Sequence, residues 1–145
     1  MTVSKLIAAD QQTLFDIVAD PTQHPVIDGS NSVRALRDGG PDRLELGAKF
    51  SMDMHLGASY RISNTVIEFD EPNAIAWRHF NGHVWRYTFA ERDGTAEPAT
   101  LVTEQWDARP ARSPLALLLL GFPRRNRAGM TETLNRLERL AVSAR

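Results

Sequence analysis

Residues 49–56, KFSMDMHL, alternate between polar and apolar side chains. Phe50, Met52, Met54 and Leu56 fall on one face of an extended chain, and the polar residues between them fall on the other. A period of two indicates a half-buried β-strand. The inner face is rich in methionine, whose flexible side chain suits surfaces that accommodate varied ligands.

The same period of two extends along most of the chain on either side of this stretch. The predicted strands are residues 3–7, 32–37, 43–46, 49–56, 60–69, 74–80, 83–90 and 101–107. The second and third are weak candidates on either side of a predicted turn, Asp38-Gly39-Gly40-Pro41. The connections are short and include Asn81-Gly82, a typical hairpin dipeptide. Short connections favour an antiparallel meander, because parallel strands need long crossovers.

Two stretches follow a helical period instead. Asp10 is a predicted N-cap for a helix that carries apolar residues at 14, 15, 18 and 19 and ends by Asp20, because Pro21 disfavours helical geometry in the residue before it. Residues 21–30 are predicted to form a turn or a short distorted helix. Pro123 is predicted to be the first residue of a long C-terminal helix, and every third or fourth position from Met130 onward forms an apolar stripe.

Composition and charge restrict the function. The chain has 145 residues and no cysteine, which excludes disulfides and thiol nucleophiles, and we expect one domain over residues 1–145. The N-terminus lacks the features of a secretory signal, so a cytoplasmic location is expected. Net charge is −1, although the part from Arg109 onward carries eight arginines and two glutamates. Only two lysines are present and the pI is about 6.4, so no nucleic-acid partner is expected.

Four passages together resemble a known superfamily over nearly the whole chain. IAADQQTLFDIVADPTQHP (7–25) is similar to its opening strand and helix, and NTVIEFDEPNAIAW (64–77) to its strand–Glu-Pro–strand passage. GHVWRYTFAERDGTAEPATLVTEQWD (82–107) resembles its penultimate hairpin, and GMTETLNRLERL (129–140) its closing helix. The superfamily is the START-like (SRPBCC) group, also called helix-grip or polyketide cyclase/dehydrase-like.

The resemblance implies an α+β helix-grip fold. About six to seven antiparallel strands would form a curved sheet around the long C-terminal α-helix, with short helices after strand 1. It also implies a cavity between sheet and helix for a small hydrophobic molecule such as a lipid, a polyketide or an aromatic metabolite. Members of this superfamily serve many functions, so the fold alone does not assign one.

The strand faces and the helix stripe supply the candidate ligand-binding residues. They are Phe50, Met52, Met54, Asn64, Trp77, Trp85, Tyr87, Trp106, Leu118, Phe122, Met130 and Leu134. The facing of the tryptophans depends on the length of the loop at Asn81-Gly82. A two-residue loop places Arg78 and Trp85 on one face, whereas a three-residue loop pairs Trp77 or His79 with Trp85.

His79 and Glu104 are the candidate catalytic pair, because an imidazole can accept a proton while a carboxylate orients it. The histidines show no metal-binding spacing, and no glycine-rich phosphate loop is present. We therefore expect neither a metal nor a cofactor. Binding or carriage of a hydrophobic ligand is the leading function, and a polyketide cyclase or dehydratase-type enzyme is the alternative. A non-catalytic partner in a protein complex is the third class.

The segment from Leu115 to Phe122, LALLLLGF, is the most apolar part of the chain. Its leucines are expected to lie on apolar surface, because exposure costs roughly 1.5–3 kcal/mol for each. The expected cover is the mouth of the cavity. A homodimer contact and peripheral docking on a membrane, aided by neighbouring arginines, are the alternatives.

Overall fold

The computed structural model describes residues 1–37 and 40–143. In these residues the strands are β1 (Thr2–Ile7), β2 (Val33–Leu36), β3 (Lys49–His55), β4 (Ser59–Asp70), β5 (Ala74–His79), β6 (Val84–Glu91) and β7 (Thr100–Asp107). The helices are α1 (Gln11–Ala19), α2 (His24–Ile27), α3 (Pro114–Leu119) and α4 (Phe122–Ser143), and a 3-10 turn spans Pro21–Gln23. None of the helices described is long and apolar enough to cross a bilayer.

The strands form one antiparallel sheet in the order β1-β7-β6-β5-β4-β3-β2. Strands β2 to β7 are a meander, and β1 lies beside β7 at the far edge. Helix α4 contacts β1 and β7, and its stripe of Met130, Leu134, Leu137 and Ala141 is buried. The α+β helix-grip fold expected from the sequence is confirmed.

The weak strand predicted at residues 43–46 is wrong. Leu44 is fully buried, and its backbone N–H donates to the Ala19 carbonyl oxygen at 2.7 Å. The segment is thus bonded to the end of α1 and cannot pair along a neighbouring strand. Of the predicted turn beside it, Asp38 and Gly39 lie outside the described residues.

The hairpin between β5 and β6 has three residues, 80–82, between the hydrogen-bonded residues His79 and His83. His79 N–H donates to the His83 carbonyl oxygen at 2.9 Å, and Trp77 lies opposite Trp85. Gly82, with φ of 108°, ends the loop, and a Cβ at this glycine would collide with the Pro110 carbonyl oxygen. The three-residue alternative is therefore the correct one, and it turns the two tryptophans to the same face.

The loop after α2 is fastened to α4. Gly29 N–H donates to Thr133 Oγ1 at 2.9 Å, and Arg136 Nη1 donates to the Asp28 carbonyl oxygen at 2.7 Å. A Cβ on Gly29 would lie 2.5 Å from the Thr133 backbone nitrogen and would also collide with the Gly129 carbonyl oxygen. This close approach fixes the distance between α4 and the loop after α2. That loop closes one side of the space between α4 and the sheet.

Candidate functional site

A cavity of about 420 Å³ lies between the inner face of the sheet and α4. Strand β3 contributes Phe50, Met52 and Met54 to its wall, which are the alternating apolar residues singled out in the sequence. The first half of α4 contributes Phe122 and Met130 on the opposite side. A sheet that curves away from a straight helix leaves this space because the two surfaces cannot pack flat against each other.

The later strands supply an aromatic wall. Asn64, Trp77, Trp85, Tyr87 and Trp106, which are candidate ligand-binding residues, all line the cavity. The Trp77 ring stacks on Tyr87 with centroids 5.7 Å apart, and Trp85 lies 6.2 Å from Trp106. These flat, rigid side chains offer a large contact area to an apolar ligand.

Two predicted ligand-binding residues do not line the cavity. Leu134 is 1% exposed and packs within the main core, one turn of α4 beyond Met130, where the helix meets the sheet. Leu118 is 59% exposed and points away from the interior. The prediction that these two residues contact a ligand in the cavity is therefore wrong for the position that each occupies.

Glu104 is a buried carboxyl group inside the cavity. It is 3% exposed, and Tyr87 Oη donates to its Oε1 at 2.8 Å. Burial raises the pKa of Glu104 to about 8, because the low-dielectric interior disfavours the charged form. The carboxyl group is therefore mostly protonated at neutral pH, with Oε2 able to act as a hydrogen-bond donor.

Four buried polar atoms of lining residues have no hydrogen-bond partner within the described parts of the chain. They are Asn64 Oδ1, His83 Nδ1, Glu104 Oε2 and Trp106 Nε1. An unsatisfied buried polar group costs about 1–3 kcal/mol. Such atoms are normally satisfied by water or by a ligand. The residues of the cavity wall thus combine apolar side chains with several polar atoms that lack a protein partner.

The predicted pair of His79 and Glu104 both line the cavity but have other partners. The His79 ring stacks on His83 with centroids 4.3 Å apart, and its Nδ1 accepts from the Asn81 backbone N–H at 3.2 Å. Burial lowers the pKa of His79 and of His83 to about 4, so both imidazoles are neutral at pH 7. The carboxyl group of Glu104 pairs with Tyr87 instead.

Sequence reasoning missed several lining residues. His24 of α2 lies under the cavity, where its Nε2 donates to the Val18 carbonyl oxygen at 2.8 Å and its ring stacks 5.0 Å from Trp77. Burial lowers the pKa of His24 as well. His83 could not be assigned to the cavity because the length of the β5–β6 loop was uncertain. Thr133 also lines the cavity, next to the predicted apolar stripe of α4. The only signal for the position of His24 in the sequence is the pair of dipeptides Asp20-Pro21 and His24-Pro25, which indicate a change of chain direction after α1.

Only part of the leucine segment lies on the cavity. Leu117 is buried, and it lines the cavity together with Phe122. The other four leucines, at positions 115, 118, 119 and 120, are between 59% and 77% exposed. Helix α3 is only six residues long and contacts α4 with one side, so most of its leucines face outward.

No group of three or more potential metal ligands occurs within residues 1–37 and 40–143. The unpartnered polar atoms of the cavity wall are hydrogen-bonding groups on β4, in the β5–β6 hairpin and on β7. The arrangement is suited to holding neutral organic groups and to moving a proton from Glu104.

Known proteins match the chain in both sequence and structure. An uncharacterised protein of Mycobacterium tuberculosis, Rv0088, is 38% identical over 136 residues. The match covers 90% of this chain and 59% of that protein, so the chain spans about three fifths of the length of this curated relative.

Solved structures share the fold. Protein Ms6760 from Mycobacterium smegmatis superposes with a TM-score of 0.72 at 23% identity, covering 99% of this chain and 91% of that one. The di-domain ARO/CYC StfQ from the steffimycin biosynthetic pathway superposes with a TM-score of 0.71 at 15% identity, covering 99% of this chain and 50% of that one.

The family described as "Polyketide cyclase / dehydrase and lipid transport" matches residues 1–142. This match agrees with the resemblance inferred from the sequence and with the sheet, the long helix and the cavity. The chain belongs to the polyketide cyclase/dehydrase and lipid transport family.

Proposed function

We propose that the chain binds and carries a small, mostly apolar molecule in the cavity between the sheet and α4. The observation that carries this proposal is the set of four unpartnered polar atoms around a cavity of about 420 Å³. The volume falls within the range of roughly 300–1,000 Å³ typical of ligand sites. A lipid, a polyketide or an aromatic metabolite would fill the apolar part.

The polar atoms favour a ligand with an uncharged oxygen function. Protonated Glu104 and Trp106 Nε1 offer hydrogen-bond donors, whereas Asn64 Oδ1 offers an acceptor. A ketone oxygen can accept from the donors, and a phenol can also donate to the amide oxygen. A ligand carboxylate near Glu104 would be unfavourable, because its charge would be buried in a low-dielectric site and ionisation of both groups would place like charges side by side.

Filling the cavity should abolish ligand uptake. In a Met52→Trp variant the larger side chain occupies the centre of the β3 wall, so we expect the affinity for N-phenylnaphthylamine, an uncharged fluorescent probe, to fall by at least about tenfold. Fluorescence titration measures the change. Ser51→Trp is the matched control, since Ser51 bonds Ser63 on the other face of the same strands. Equal probe affinity in the wild type and both variants would count against the cavity as the binding site.

An acid–base enzyme of the cyclase or dehydratase type is the second candidate, favoured by one observation. Glu104 has a pKa of about 8, close to neutral pH, and Tyr87 orients it inside the cavity. A group with such a pKa can donate a proton to a ligand hydroxyl or carbonyl oxygen. The family description covers both candidates, since it names cyclase/dehydrase and lipid transport.

Glu104→Gln distinguishes the two functions. Glutamine keeps an uncharged hydrogen-bonding group of similar shape but cannot transfer a proton. If the protein is a dehydratase, turnover of an aromatic β-hydroxyketone should fall by about a hundredfold or more, while probe affinity stays within about threefold. No turnover by the wild type, with the same probe affinity in both proteins, would reject the enzyme and leave the carrier.

A further inference from the structure

Helix α3 carries an exposed apolar surface, which we name the leucine patch: Leu115, Leu118, Leu119 and Leu120. Their exposed fractions are 65%, 59%, 77% and 66%. The four side chains lie within six consecutive residues and follow one another around a short helix and its C-cap. Exposed apolar patches of this kind commonly mark a site of interaction.

Arginines flank the leucine patch in the sequence. Residues 109–131 contain five arginines and no acidic residue. Arg109 is paired with Asp107 at 2.8 Å. The other four, Arg112, Arg124, Arg125 and Arg127, are exposed and form no ion pair with any carboxylate of the described residues; we name them the arginine collar.

The patch and the collar lie at the mouth of the cavity. Leu117, on the buried side of α3, and Phe122, the first residue of α4, both line the cavity. Arg125 also lines it and lies over the Phe122 ring at 5.4 Å from the centroid. Phe80, 61% exposed, lines the same cavity, and its loop is joined to the collar because Arg112 N–H donates to the Asn81 carbonyl oxygen at 2.9 Å.

Charge distinguishes between two possible binding partners of the leucine patch and the arginine collar, a second copy of the chain and a lipid bilayer. A symmetric contact with a second copy would bring two arginine collars together, and like charges would oppose it because residues 109–131 contain no acidic side chain. An anionic bilayer offers both complements at once: an acyl region for the leucines and phosphates for the arginines.

We propose that the leucine patch and the arginine collar dock the protein on the surface of an anionic lipid bilayer, with the cavity mouth facing the lipid. The leucines enter the acyl boundary, and the arginines lie at the level of the headgroups. This surface goes beyond ligand binding, because it gives an apolar molecule a path between bilayer and cavity that avoids water. It does not depend on which ligand the cavity holds.

Vesicle co-sedimentation tests the docking. The protein is incubated with vesicles of phosphatidylcholine alone and with vesicles that contain about one third phosphatidylglycerol, at low and at physiological salt. We expect binding to the anionic vesicles, weakened by salt. Leu119→Asp should reduce the partition coefficient at least about tenfold, and the double variant Arg124→Gln/Arg127→Gln at least about tenfold, since each basic residue near a membrane contributes roughly fivefold.

Leu46→Asp and Arg92→Gln are the matched controls. Leu46 is 67% exposed and lies outside the patch, and Arg92 is exposed beyond the end of β6. Both variants should bind vesicles like the wild type. The proposal is overturned if the wild type does not sediment with anionic vesicles, or if the patch variants bind as well as the controls. It is also overturned if size-exclusion chromatography shows a wild-type dimer that Leu119→Asp dissociates while vesicle binding is unchanged. If the protein does not bind vesicles, the proposed ligand binding still stands, because probe affinity for the cavity is measured without vesicles.

Discussion

Replacing Glu104 with glutamine should make the protein more stable than the wild type above pH 7, because it removes the destabilisation that Glu104 contributes as pH rises from about 5 to 8. Burial raises the pKa of Glu104 from the ordinary value of 4.5 to about 8 in the folded protein. Between these values Glu104 binds fewer protons in the unfolded chain than in the folded chain, so its contribution to the free energy of unfolding falls as pH increases. The expected fall is on the order of 3–5 kcal/mol.

Urea unfolding at intervals from pH 5 to pH 9 measures this effect. The buried histidines titrate in both proteins, so their contributions cancel when the free energy of unfolding of one protein is subtracted from that of the other. We expect the Gln variant to match the wild type near pH 5 and to become the more stable protein above pH 7. Glu91→Gln, at an exposed carboxylate on the end of β6, is the control and should leave the profile unchanged. Parallel profiles for the wild type and Glu104→Gln would show that Glu104 is ionised in the folded state.

Gly29→Ala should destabilise the fold by about 3 kcal/mol, because the new methyl group would enter the backbone of α4. The Cβ would lie 2.5 Å from the Thr133 nitrogen, and neither backbone can give way without breaking the bond from Gly29 N–H to Thr133 Oγ1. The loop that carries this glycine also supplies Asp28 and Ser30 to the cavity wall, so probe affinity should fall together with stability.

Gly40→Ala is the matched control for this change. The nearest atom to its added Cβ would be Leu36 Cδ1 at 3.4 Å, which is the flexible end of a side chain. We expect this variant to change the free energy of unfolding by less than about 1 kcal/mol. Equal urea midpoints for the two glycine variants would contradict the close packing of the loop on α4.

The sequence could predict the parts of the fold that depend on a repeating pattern. Alternation at Phe50, Met52 and Met54 identified the cavity face of β3, and the spacing from Met130 onward identified the buried stripe of α4. The same stripe could not show where the cavity ends, since Leu134 continues the pattern but belongs to the core.

Features that depend on distant contacts could not be predicted. The length of the β5–β6 loop depends on the packing of Gly82 against Pro110, which lies far away in sequence. The pairing of Tyr87 with Glu104 depends on the register of β6 and β7, so each residue could be singled out as a candidate but the two could not be identified as partners. The outward orientation of the leucines on α3 depends on how that helix lies against α4.

Native mass spectrometry tests the central claim most directly. Wild-type protein and Met52→Trp are incubated with a mixture of fatty acids, naphthols and uncharged aromatic ketones and then sprayed under non-denaturing conditions. We expect the wild type to carry one small molecule per chain, drawn from the uncharged phenols and ketones, and the variant to appear at its bare mass. A wild type that appears only at its bare mass, or a variant that carries the same adduct in the same amount, would contradict the account.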